Sequence, residues 1–139
     1  MHELIQEWLA ANGDAWRKRL ASRLALPDAH AQELLSPAVE QLLAVLRRGR
    51  LDLVDYVRGA DAAGLVAMAD ARGLALHHGI DIDAARSALA ALAPAVLDLA
   101  RRVVKTPEGV ARLLADPAAV HEAGAFGDLA QRLYRTRSP

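Results

Sequence analysis

Gly79-Ile80-Asp81-Ile82-Asp83, continuing through residues 84–105 to Thr106-Pro107-Glu108-Gly109, is the stretch that decides the fold. Apolar residues recur at Ile82, Ala85, Leu89, Leu92, Val96, Leu99 and Val103. Their spacing alternates between three and four, which is the period of an amphipathic helix with one buried seam. Asp81 is placed to cap that helix and Thr106-Pro107 to stop it, so the pattern predicts a helix over 82–105. Pro94 falls opposite the seam. There the missing backbone bond bends the helix convexly toward solvent and wraps it around the core.

The rest of the chain extends this reading. It holds 31 Ala and 23 Leu against 3 Ile and 2 Thr, a composition that favours helix over strand. No segment alternates with period two. The expectation is an all-α, single-domain bundle of six to nine mostly short helices, with one long proline-kinked helix near 82–105. At 139 residues one domain is the default, and such a chain buries about two-thirds of its unfolded surface without staples. With no cysteine, disulfides, thiolate metal sites and cysteine nucleophiles are excluded. Seventeen basic residues balance seventeen acidic ones, and the balance holds in each half of the chain, which disfavours a nucleic-acid binder. The N-terminus carries Glu3 and Glu7 where a signal peptide needs cations, and no apolar run approaches the roughly 18–20 residues of a membrane span. A cytoplasmic protein is expected. Arginine far outnumbers lysine, which suggests a GC-rich, bacterial genome.

Local signals divide the chain further. A first helix is predicted over 2–11, stopped by Asn12-Gly13, and a second over 15–25 with Trp16, Leu20 and Leu24 inward. Pro27 starts a third over 27–35. Ser36-Pro37 caps a fourth over 37–48, closed by Gly49. Leu51–Arg58 supplies one or two turns, with Leu53, Val54 and Val57 inward. Asp61 caps a helix over 62–72 that Gly73 ends, and 74–79 connects it to the long helix. Short helices follow near 107–115, 117–123 and 128–135. Leu26-Pro27-Asp28 to Pro37-Ala38-Val39 weakly echoes Ile80-Asp81-Ile82 to Pro94-Ala95-Val96, an internal helical duplication of about 16–48 on 74–109.

Gly79-Ile80-Asp81, Leu89 to Leu92, Pro94-Ala95-Val96-Leu97-Asp98 and Thr106-Pro107-Glu108-Gly109 together resemble the C-terminal segment of the bacterial YidB-like family of small helical proteins. Residues 16–46 resemble the family's other helical unit. The chain departs from the pattern in a longer gap between Val96 and Thr106, and residues 110–139 have no counterpart. The resemblance implies an all-helical fold and supplies no activity, cofactor or catalytic residue.

Candidate chemistry is sparse. His77-His78 with Asp81 and Asp83 has metal-ligand residue types, but Asp81 is explained as a cap and Asp83 as a first-turn acid favoured by the helix dipole. Arg47-Arg48-Gly49-Arg50 could grip phosphate, or serve as cations at a helix C-terminus, as Arg101, Arg102 and Lys105 do. Trp8 and Trp16 are expected to share the core. Serines 22, 36, 87 and 138 lack a nucleophile context, and the pairs Asp52/Asp55 and Asp81/Asp83 lack an apolar pocket that would raise one pKa. The expected function is therefore a non-catalytic protein-interaction or scaffolding module with no metal and no cofactor. It would work through self-association or a partner protein, and without a membrane. Its interaction patch is expected on the second stripe of the long helix: Ala93, Leu97, Ala100 and Val104. Two alternatives stand beside it. One is a DNA-associated protein using arginine-rich helix ends, and the other a small-ligand binder with an apolar pocket between helices.

Overall fold

Seven α-helices and one 3-10 turn make up residues 2–115, the part of the chain that the computed structural model describes. They are α1 (Glu3–Leu24), α2 (Asp28–Leu46), the 3-10 turn (Arg47–Asp52), α3 (Leu53–Gly59), α4 (Ala62–Met68), α5 (Ala71–His78), α6 (Ile82–Val103) and α7 (Pro107–Leu114). No strand occurs among the described residues. The fold is all-α, as expected. The helices predicted over 117–123 and 128–135, with Phe126, Leu129 and Leu133, lie outside the described residues.

α6 is the centre of the bundle, and every other helix touches it. Its seam residues Ala85, Leu89, Leu92 and Val96 are buried, and Pro94 is exposed. Asp81 caps it as predicted, accepting from the Ala84 N–H at 2.7 Å. One continuous core runs from Leu4 through Trp8, Trp16 and Leu42 to Leu113. Both tryptophans belong to it.

Two predicted breaks are absent. α1 runs straight through Asn12-Gly13, and the Asn12 amide donates to the Trp8 carbonyl at 3.2 Å. Asp14 pairs with Arg17 across one turn rather than capping a new helix. Leu4, Trp8, Trp16 and Leu20 are all buried, at multiples of four residues, so the apolar row resumes beyond half-buried Asn12 on the same side of the helix. A mid-helix glycine costs about 1 kcal/mol, whereas burying one leucine contributes about 1.5–3 kcal/mol. Packing wins. A Cβ at Gly13 would meet no atom within 4 Å. Gly13→Ala should therefore raise stability by about 1 kcal/mol, read as a higher thermal midpoint. A fall would mean that the helix breaks there after all.

α2 likewise absorbs Ser36-Pro37, with Pro37 inside the helix. Nine residues from Ala31 to Leu46 are buried on either side of it. Their burial outweighs the roughly 3 kcal/mol that an internal proline costs. Both halves of the weak sequence echo thus become long helices with an internal proline, a likeness of local form.

Between Asp61 and Gly79 the chain makes two helices where one was expected. Gly73 does not end a helix. It lies in the first turn of α5, and its N–H donates to the capping carboxylate of Asp70 at 2.9 Å. Asp61 holds the Gly64 N–H in the same way. Thr106 Oγ1 accepts from the Gly109 N–H at 3.0 Å and starts α7. Gly109 is buried, and a Cβ there would overlap the Val103 carbonyl oxygen at the end of α6. Gly109→Ala should displace α7 and cost about 1–3 kcal/mol in urea unfolding. Unchanged stability would mean that α7 does not sit against α6 in solution.

Candidate functional site

The end of α2 does not stop cleanly. Leu46 is buried, and the chain then turns through Arg47-Arg48-Gly49-Arg50 before Leu53 returns to the core. Gly49 lies directly on Tyr56 of α3, where a Cβ would come within 2.6 Å of the Tyr56 Cβ. The next residue, Arg50, lies at φ 43°, ψ −109°, a conformation that residues other than glycine avoid. The next residue, Leu51, is fully exposed at 101%.

Arg47 anchors the turn to the far end of the chain described. Its Nη2 donates to the Leu114 carbonyl at the C-terminus of α7, at 3.1 Å. Arg47, Arg48 and Arg50, with Ala44 and Leu114, line a groove of about 390 Å³. Neither Arg48 nor Arg50 makes an ion pair among the described residues. A second tie holds α7 to α1: Arg112 of α7 pairs with Glu7 and, at 3.8 Å, with Glu3, both on α1.

His2 sits beside this junction and is buried. Its Nδ1 accepts from the Leu4 N–H at 3.1 Å and caps α1. Accepting requires a bare Nδ1, so the ring proton is on Nε2, which lies against the backbone of Leu113 and Ala115 without completing a well-formed hydrogen bond. Burial, and then the Arg47 charge, hold the His2 pKa below its ordinary 6.5, against a smaller opposing pull from those carbonyls and Glu3. Between the folded and unfolded pKa values the unfolded chain binds the proton and the native chain does not, so stability rises with rising pH there and is lost as pH falls. The chain should lose stability as pH falls through the ordinary histidine value of about 6.5, above most carboxylate titration. Denaturant unfolding of wild type against His2→Asn checks this, because asparagine can cap but does not titrate. Equal pH slopes in the two proteins would remove His2 as the cause.

The other sequence candidates fall elsewhere. Ala93, Leu97, Ala100 and Val104, expected as an exposed patch, are core residues with at most 4% exposure. The physical reason is that helices surround α6, so its second stripe is covered as fully as its first. His77 is exposed and His78 half-buried at the end of α5. The His78 carbonyl lies 3.3 Å from Nε2 of His30. Asp83 pairs with Arg86 at 4.0 Å. Among the described residues no three His, Asp or Glu side chains gather where a metal could sit. Arg101 Nη2 donates to the Ala60 carbonyl at 2.6 Å, and Arg102 pairs with Asp98. Asp55 faces a shallow groove of about 380 Å³ between α3 and α4, with Tyr56, Leu65 and Met68, and the Tyr56 hydroxyl donates to the Met68 sulfur at 3.8 Å.

Sequence reasoning found the arginine run but missed Leu51 and His2. A signal for Leu51 was present: it is two residues before Leu53 and six before Val57, off their shared helical face, and charged residues flank it. Burial of a histidine at position 2 had no sequence signal, because α7 creates it. Comparison with models of known families, with curated proteins and with solved structures finds no match. No helix among the described residues is long and apolar enough to cross a membrane.

Proposed function

We propose that this chain is a non-catalytic protein-interaction or scaffolding module that docks an acidic partner protein through the turn at residues 47–51. The observation that carries the reading is Leu51, a fully exposed leucine on a conformationally strained turn between helices. Transferring it into an apolar notch contributes about 1.5–3 kcal/mol, and a turn already fixed by packing loses little entropy on binding. The guanidiniums of Arg48 and Arg50 beside it favour carboxylates on the partner and raise the association rate. They also disfavour a second copy at the same place, since two such turns would oppose like charges. The partner is therefore a different protein. The YidB-like kinship of residues 79–109 and a bacterial cytoplasmic location belong to the same proposal and add no chemistry to it.

A photo-crosslinking residue at position 51, in the full chain and in extract of the native host, tests the reading. The expected result is one discrete adduct with an acidic protein, lost when Arg48 and Arg50 are both changed to Glu. The same probe at Leu76, the exposed leucine of α5, serves as control. Identical adducts from both positions, or none from position 51, would refute it.

A further inference from the structure

We propose that the groove between the end of α2, the 3-10 turn and the C-terminal end of α7 binds a doubly charged oxyanion, a phosphoryl group either free or carried on a small organic molecule. This goes beyond the protein-docking reading and does not depend on Leu51.

Three observations converge on it. The first is charge. Arg47, Arg48 and Arg50 line one groove, and no carboxylate of the described residues pairs with any of them. A carboxylate would answer one of three cations, whereas a phosphoryl dianion answers two and offers three acceptor oxygens to guanidinium forks. The second is an unmet donor. Arg47 spends Nη2 on the Leu114 carbonyl, but its Nε is shielded from water and has no hydrogen-bond partner. A buried donor in that state is costly, and an anion in the groove would favour a shift of the Arg47 side chain that gives it an acceptor. The Leu114 carbonyl beside the groove is already covered by Arg47, so its repulsion of an anion is blunted. The third is backbone strain. Arg50 is held at φ 43°, ψ −109°, where glycine would be relaxed, yet the position carries a guanidinium that lines the groove. The volume of about 390 Å³ exceeds that of a bare phosphate and leaves room for an organic bearer.

Titration of the full ¹⁵N-labelled chain with inorganic phosphate, pyrophosphate and phosphoserine, at constant ionic strength and with acetate as control, tests the site. Saturable shifts confined to the amides of 46–52 and 113–115 are expected. The phosphoryl compounds should bind at least about tenfold more tightly than acetate. Tighter binding of phosphoserine than of inorganic phosphate identifies an ester as the source, and the reverse identifies the free ion. Arg48→Gln with Arg50→Gln should weaken binding by about tenfold or more. Arg50→Gly is the sharper variant. It removes the guanidinium and relaxes the backbone, so the thermal midpoint should hold or rise while phosphoryl binding weakens several-fold. Leu51→Ser should leave phosphoryl binding unchanged while removing partner docking, which separates the anion site from the leucine contact although both share Arg48 and Arg50. Equal binding of acetate and phosphate, or wild-type binding by Arg50→Gly, would overturn the proposal. So would association with duplex DNA that pyrophosphate does not displace.

Discussion

Leu97→Lys should abolish cooperative unfolding near room temperature. Leu97 is 4% exposed on the helix that every other helix contacts. An ammonium there loses its hydration, and the position contributed only apolar contacts. The cost is on the order of 5 kcal/mol, to which the lost leucine burial adds about 2 kcal/mol. Total stability for a domain of this kind is about 5–15 kcal/mol. A lysine can relieve part of the cost by snorkelling toward the surface or by shedding its proton. Arg101, one turn further along α6, makes the snorkelled cation still less favourable. Circular dichroism on heating, with near-ultraviolet signals for Trp8 and Trp16, measures the outcome. A wild-type transition in a monomeric variant would mean that the stripe Ala93–Leu97–Ala100–Val104 is open in solution.

That stripe shows where sequence reasoning stops. The limits of α6, its Asp81 cap, the exposed Pro94 and the Thr106-Pro107 start of α7 were all legible, because each depends on residues within a turn or two. Whether a second apolar stripe meets solvent depends on how many helices surround the first, which no single helix encodes. A hint was present: Ala88, Ala91, Ala93 and Ala100 widen the apolar face of α6 well beyond one seam, as expected of a central helix. The false stops at Asn12-Gly13 and Ser36-Pro37 have the same cause. Local penalties of about 1 and 3 kcal/mol were visible, and the burial that exceeds them was not. Gly73 was misassigned for a different reason. Glycine marks helix ends more often than first turns, and the Asp70-x-x-Gly73 pattern, which repeats Asp61-x-x-Gly64, was the better signal. At the candidate site the arginine run was legible and its geometry was not, since the positive φ at Arg50 and the packing of Gly49 on Tyr56 arise where α2 meets α3, beyond any one helix.

Leu92→Ala should cost about 2–5 kcal/mol, in the upper part of that range. Leu92 is fully buried at the middle of α6. Its helix is lined with buried alanines, Ala85, Ala88, Ala91 and Ala93 among them. Short side chains let backbones approach closely, and backbones cannot swing into a vacated space as a long side chain can. The cavity left by the lost isobutyl group should therefore stay largely open, and the penalty grows with residual cavity volume. Leu42 is equally buried on α2, which packs against α6, and its truncation should cost a similar amount. If the two leucines line one region of core, the double variant should lose less than the sum of the single losses, because the second truncation enlarges a cavity already formed. Urea unfolding at constant m-value gives all three numbers. A loss below about 1 kcal/mol for Leu92→Ala would place the seam of α6 at the surface, and with it the arrangement that puts α7 and the arginine turn side by side.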